Sequence, residues 1–326
     1  MSHGIMEIDS GYVWGDTWHG LPQYIVLDRP VKEEEAIKVL NFSCNKQQLY
    51  RKQRDGEFVP AEAWEIVRTN EDIPLVPHVG KQFNEGNNLN ILTDHILPAM
   101  KEFPSLKIES VGTLWSGATV FVNLKVSDYY IKGDQSNIMN RLMWYNPMGK
   151  GGYKTCAHSI RVVCNNTLRA AHGEGKDNGS MVVIRHCQNA KERIGRAMDD
   201  IARNFMELET QQQLLERLTK HPMNSVRIKK FLDEFIPMPA NLEDRAVTMR
   251  NNSRDEVMTQ FNTDQALNVE IKASGYALLQ AVTYVLDHGK ATKCNDKASI
   301  VWDAMVGYRA NSKDKALDIL SKQMVV

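Results

Sequence analysis

The clearest periodicity in the chain lies at residues 118 to 126. Ala118, Val120, Val122, Leu124 and Val126 alternate with Thr119, Phe121, Asn123 and Lys125, and this period of two predicts a strand with one buried face. Leu106, Ile108 and Val111 precede it across a Ser116-Gly117 turn, so residues 105 to 126 read as an antiparallel hairpin. A third strand is expected over 138 to 146. The Pro147-Met148-Gly149-Lys150-Gly151-Gly152 tip then turns the chain into a fourth at 153 to 160, and a fifth follows at 181 to 185. Between the last two, residues 161 to 172 read as a helix, followed by a glycine-rich loop at 173 to 179.

Helical spacing marks the rest. Pro30 and the acid run Glu33-Glu34-Glu35 precede Ala36, Ile37, Val39 and Leu40, as expected where a helix dipole favours acids in the first turn. Leu89, Leu92, Ile96, Leu97 and Met100 form a second helix that Pro104 ends. A long helix is expected from about 188 to 220, with Ile194, Met198, Ile201, Phe205, Leu208, Leu215 and Leu218 along one side. Beyond Pro222 come a short basic helix, the breaker Ile236-Pro237-Met238-Pro239, and helices around 272 to 288 and 296 to 320. Strands come as a block and helices follow. The class is therefore α+β, an antiparallel sheet of β-β-β-α type packed against helices, with a helical C-terminal region. The division expected is an N-terminal arm with helices (1 to 104), a sheet core with a basic surface (105 to 187), and a helical region (188 to 326).

Composition narrows the class. Apolar residues at 42% and charged residues at 25% are those of a globular chain, which argues against disorder or a coiled-coil rod. Five cysteines without a CxxC pair fit neither a disulfide framework nor a cysteine zinc site. With no signal-peptide pattern at the start and no apolar run of membrane-spanning length, a cytoplasmic protein is expected. Forty basic residues balance forty acidic ones, so any anion site must be a local patch.

That patch stands out between residues 141 and 196. Ten Lys and Arg (141, 150, 154, 161, 169, 176, 185, 191, 193, 196) face three acids (174, 177, 192), an excess of seven positive charges. Trp144, Tyr145 and Tyr153 are interleaved with them. Cations for phosphates beside rings for bases are the footprint of single-strand nucleic-acid binding, whereas the plainer reading is a solvated face. The expected phosphate contacts are Lys150, Lys154, Arg161, Arg169, Arg185, Lys191, Arg193 and Arg196, with Trp144, Tyr145 and Tyr153 as stacking rings.

Enzymatic signals are weak beside this one. The Gly149-Lys150-Gly151-Gly152 tip lacks the Gly-Lys-Ser/Thr ending of a triphosphate-binding loop, and Gly173, Gly175 and Gly179 do not make GxGxxG. Nine histidines include no HExxH pair, and no serine sits in GxSxG. Asp199 and Asp200, adjacent on a helix, diverge by about 100° and do not converge on one Mg²⁺. Arg185 and His186 open the long helix either as caps or as a site, and Asn165, Asn166 and Thr167 either bracket the structure or hold a ligand. No catalytic residue, metal ligand or cofactor is expected.

Several segments together resemble the phage/plasmid-like protein family, which is defined by a domain of unknown function. They are Thr17-Trp18-His19-Gly20-Leu21, Val79-Gly80-Lys81-Gln82-Phe83, Glu109-Ser110-Val111-Gly112-Thr113-Leu114, Arg161-Val162-Val163-Cys164-Asn165-Asn166-Thr167-Leu168 and Arg185-His186. The resemblance implies a mobile-element origin and carries no chemistry with it. More distantly, a β-β-β-α unit with a basic, ring-bearing surface is similar to the phage single-strand annealing proteins of the Redβ, RecT, Erf and Sak group. That similarity implies ring or filament assembly and ATP-independent annealing. The expected partners are single-stranded DNA, further copies of the chain, and a phage exonuclease or host single-strand-binding protein. A phage accessory or structural protein and a metal-dependent nuclease are the alternatives.

Overall fold

The computed structural model describes residues 9–15, 24–69, 71–83, 88–148, 152–161, 166–169, 181–184, 197–288 and 307–325; for 91, 166–169, 181–184, 197–204 and 325 it describes the backbone alone. The class is α+β, as the sequence leads one to expect. Strands β1 (Gly11–Trp14) and β2 (Tyr24–Leu27) come first, then helix α1 (Glu33–Leu40) and strands β3 (Cys44–Lys52), β4 (Phe58–Arg68) and β5 (Ile73–Val79). Helix α2 (Asn88–Ile91) runs through a π-turn (Leu92–Ile96) into α3 (Leu97–Glu102), and β6 (Lys107–Leu114), β7 (Thr119–Tyr130), β8 (Asn137–Pro147), β9 (Tyr153–Arg161), β10 (Asn166–Arg169) and β11 (Met181–Ile184) follow. The C-terminal helices are α4 (Ala197–Thr219), α5 (Ser225–Phe235), α6 (Asp244–Thr263), α7 (Val269–Lys272), α8 (Gly275–His288) and α9 (Tyr308–Val325).

An eight-stranded sheet has the order β10-β9-β8-β7-β6-β1-β2, with β11 also paired to β9; β3-β4-β5 form a second, antiparallel sheet. β1 runs parallel to β2 and antiparallel to β6. β11 covers Tyr153 to Cys156 of β9 and β10 covers His158 to Arg161. The chain divides into two compact units. The first comprises 1–126, 141–157 and 179–205, the second 127–140, 158–178 and 206–326, so β7, β8 and β9 contribute residues to both.

In the first unit, α1 has three acids in its first turn, and Glu35 closes a capping box by accepting from the Lys32 N–H at 2.8 Å. Its buried residues Ala36, Val39 and Leu40 pack against β6. Gly11 and Gly112, paired across β1 and β6, leave room for the Tyr24 ring. A Cβ at either would come within 2.3 Å of it, and the Tyr24 hydroxyl donates to the Thr113 carbonyl at 2.8 Å. In the second unit, Leu215 and Leu218 of α4, Phe231 and Leu232 of α5, Val257 and Phe261 of α6, and Tyr276 to Leu279 of α8 share one apolar core.

The structure differs from the sequence reading in several elements: helix α6 and the short strands β1 and β2 were not expected, and two further regions depart from it. The helix expected over 161 to 172 is not formed where the structure describes it: Arg161 ends β9, and Asn166–Arg169 form β10 antiparallel to it. Asn166 and Thr167 are poor in a helix interior, and pairing along β9 supplies the hydrogen bonds a helix would otherwise provide. The three-stranded sheet of residues 44 to 79 was not expected at all. Burial in β3 is too slight to leave a period of two, although Asp55-Gly56, with Gly56 at φ +96°, is a strong hairpin turn.

Candidate nucleic-acid interface

β8 and β9 carry the described part of the basic segment. Trp144 and Tyr145 are consecutive on β8 and therefore point to opposite faces, yet they expose only 4% and 1% of their surface. The sheet is covered on both sides there, which explains why residues 142 to 146 are buried without alternation. Tyr153 exposes 7%, and burial pushes its hydroxyl pKa up to about 12. No base can lie flat on any of the three rings, so the stacking role expected of Trp144, Tyr145 and Tyr153 is corrected: they are core.

Two arginines of the segment are likewise spent inside the protein. Arg141, fully buried on β8, makes a two-pronged ion pair with Glu109 of β6. Arg161, buried at the end of β9, donates through Nε and Nη2 to the two oxygens of Asp134 at 2.6 and 2.9 Å, and through Nη1 to Asp264 at 2.8 Å. Asp134 also accepts from the Tyr276 hydroxyl at 2.6 Å and the Ser136 N–H at 2.9 Å, so its buried carboxylate receives four hydrogen bonds. Burial, with the Asp134 charge second, raises the Tyr276 pKa well above its usual value. Arg161 ties β9, the turn before β8, the end of α6 and α8 of the second unit together. Its expected phosphate contact is corrected to this structural role, because two carboxylates of the same chain already hold it.

Lys154 differs. It lies on β9 opposite Val183 of β11, half-buried, with Nζ 5.7 Å from the centre of the Tyr145 ring. Burial lowers its pKa, and it has no carboxylate partner among the described residues. Arg169 sits on β10 opposite His158, with its backbone alone described. Lys150, Arg185, Lys191, Arg193 and Arg196 lie outside the described residues.

The carboxylates that engage Arg141 and Arg161 were not expected. They stand 32, 27 and 103 residues from the arginines, and no local spacing signals a pair at such separations. Exposed rings do exist elsewhere, on the hairpin of β3 and β4. Residues 50 to 58 are all exposed, Tyr50 by 59% and Phe58 by 67%, and Lys52 Nζ stands 5.9 Å from the Phe58 ring centre. Among the described residues no group of three or more His, Cys, Asp or Glu converges to hold a metal ion, and no helix is long and apolar enough to cross a membrane.

Residues 91–315 match the family model described as Domain of unknown function (DUF932). No curated protein and no solved structure matches the chain.

Proposed function

The chain belongs to that DUF932 family of unknown function, and from this premise we propose that it binds single-stranded DNA and anneals complementary strands without ATP, as a recombination factor of a phage or plasmid. The observation that carries the reading is Lys154. Removing a cation from water is unfavourable unless an anion compensates, and Lys154 is half-buried without a carboxylate from its own unit among the described residues. A phosphate oxygen is the anion that the surrounding sequence suits, since seven positive charges in excess accumulate between residues 141 and 196. With Arg141 and Arg161 neutralised internally, eight Lys and Arg against three acids remain.

Annealing asks little chemistry of a protein: cations offset the repulsion of two phosphate backbones while the bases stay free to pair. No turnover, cofactor or metal enters this reading. Assembly into a ring in the host cytoplasm would join the basic segments of successive copies into one track and reconcile a neutral chain with a polyanion. The phosphate contacts proposed are Lys154 with Lys150, Arg169, Arg185, Lys191, Arg193 and Arg196.

A gel shift with a single-stranded oligonucleotide at two salt concentrations tests the reading. Binding that weakens steeply with salt is expected, and Lys154→Gln should weaken it and make the salt slope shallower by about 0.7. An oligonucleotide that does not shift even at low salt rules the reading out. The exposed Tyr50 and Phe58 favour a second reading, an accessory protein whose hairpin docks on another protein. Mg²⁺-dependent loss of the oligonucleotide would instead indicate a nuclease.

A further inference from the structure

The corner between α4 and α5 carries a charge cluster that the basic segment does not include. From Arg217 to Leu232 the sequence holds Arg217, Lys220, Arg227, Lys229 and Lys230 and no Asp or Glu, five positive charges in sixteen residues of a chain whose net charge is zero. His221 adds none at neutral pH, because burial and the neighbouring Arg227 lower its pKa. The corner is well fixed. The Asn224 side chain caps α5 by accepting from the Arg227 N–H at 2.9 Å, the Met223 N–H donates to the Ala273 carbonyl at 2.8 Å, and the Gly275 N–H to the His221 carbonyl at 2.8 Å.

Availability sets these cations apart from Arg141 and Arg161. Arg217, Lys220, Lys229 and Lys230 are exposed, and none has an ion-pair partner among the described residues. The bordering acids are engaged elsewhere: Glu216 accepts from the Gln212 amide at 3.2 Å, and Asp233 pairs with Arg254 at 2.9 Å. Lys229 and Lys230 share a face of α5 with exposed Val226, and Lys220, just past the end of α4, stands three residues from Arg217 in its last turn.

We propose that the α4–α5 corner is a second phosphate-contacting surface, on which Arg217, Lys220, Lys229 and Lys230 take up the backbone of the bound nucleic acid. The inference rests on the reading of the chain as a nucleic-acid binder and extends it beyond the basic segment, to helical elements of the second compact unit. The surface suits a polyanion held by charge. The apolar residues of α5, Phe231 and Leu232, are buried in the core, and Val226 alone gives a lipid bilayer too little to hold. A phosphodiester strand presents one charge about every 3.4 Å and needs no apolar face from its binder.

The test compares full-length wild type, Lys229→Gln with Lys230→Gln, and Arg217→Gln with Lys220→Gln for binding to a single-stranded oligonucleotide across a salt series. Each double variant should fold with an unchanged melting temperature and bind with a salt slope shallower by about 1.4, twice the single-strand increment of 0.7 per neutralised contact. Lys229→Arg with Lys230→Arg should keep the wild-type slope. If wild type binds and both Gln variants retain its slope, the corner plays no part while the annealing reading stands. If wild type binds no oligonucleotide, both fall. Vesicles of phosphatidylserine and phosphatidylcholine form the last arm: Gln variants that lose vesicle binding but keep the oligonucleotide slope would mark a lipid-headgroup surface and overturn the proposal.

Discussion

Arg161 and the lysines of the α4–α5 corner belong to the same compact unit, yet they have opposite roles. Arg161 is buried, and the cost of desolvating its guanidinium is offset by Asp134 and Asp264 at 2.6 to 2.9 Å. Lys229 and Lys230 are exposed and have no ion-pair partner among the described residues. The first cation is consumed in holding elements together, whereas the second are open to a ligand. Sequence distance to the nearest acid points the wrong way, since Asp233 stands three positions from the exposed Lys230 while Glu174, thirteen positions off, is the acid nearest in sequence to the buried Arg161. Solvent access separates them.

The largest expected effect comes from breaking the buried side of this contrast. Asp134→Ala removes the carboxylate that Arg161 engages through Nε and Nη2, and the acceptor of the Tyr276 hydroxyl, so we expect a loss of about 3 to 5 kcal/mol of stability by chemical denaturation. A loss below about 1 kcal/mol would mean that the carboxylate is better hydrated than its burial indicates.

A pH effect of intermediate size is expected from His95, buried in the π-turn with no hydrogen-bond partner for Nε2 among the described residues and its pKa pushed down to about 4 by burial. The unfolded chain takes up the proton first, near the ordinary value of about 6.5. His95 therefore lowers no stability above that pH, and stability falls as pH drops from about 6.5 towards 4, by about 3 kcal/mol in all. His95→Leu should flatten the denaturation midpoint over this window; equal slopes for variant and wild type would refute the assignment.

The smallest stability effect is expected at the corner. Lys229→Gln with Lys230→Gln should change stability by no more than about 0.5 kcal/mol, because the side chains are exposed and outside any ion pair described. A larger loss in thermal or chemical denaturation would place these lysines with Arg161 after all.

Local pattern made much of the fold legible. The hairpin of β6 and β7, strands β8, β9 and β11, helix α1, and the helix that stops at Phe103 before Pro104 follow from periodicity and breakers. The sheet of β3 to β5 escaped because β3 is almost wholly polar and little buried, and the outer half of β4 alternates only between exposed positions and the half-buried Val59 and Ala61. β10 escaped because a four-residue strand is shorter than either period needs to declare itself. The candidate interface was legible as a charge excess but not as a surface. Trp144, Tyr145 and Tyr153 have the chemistry of stacking rings, and nothing within the segment signals that protein covers both faces of the sheet around them.

By itself the sequence determined the α+β class, the positions of strands β6 to β9 and of several helices, and the concentration of positive charge along one stretch of a neutral chain, since all three depend on neighbours within a few residues. Which cations are free and which rings are accessible was decided by tertiary structure alone. Glu109, Asp134 and Asp264 reach their arginines only after the chain has folded, and desolvation, which sets the cost of leaving a charge unpaired, depends on everything packed around the group.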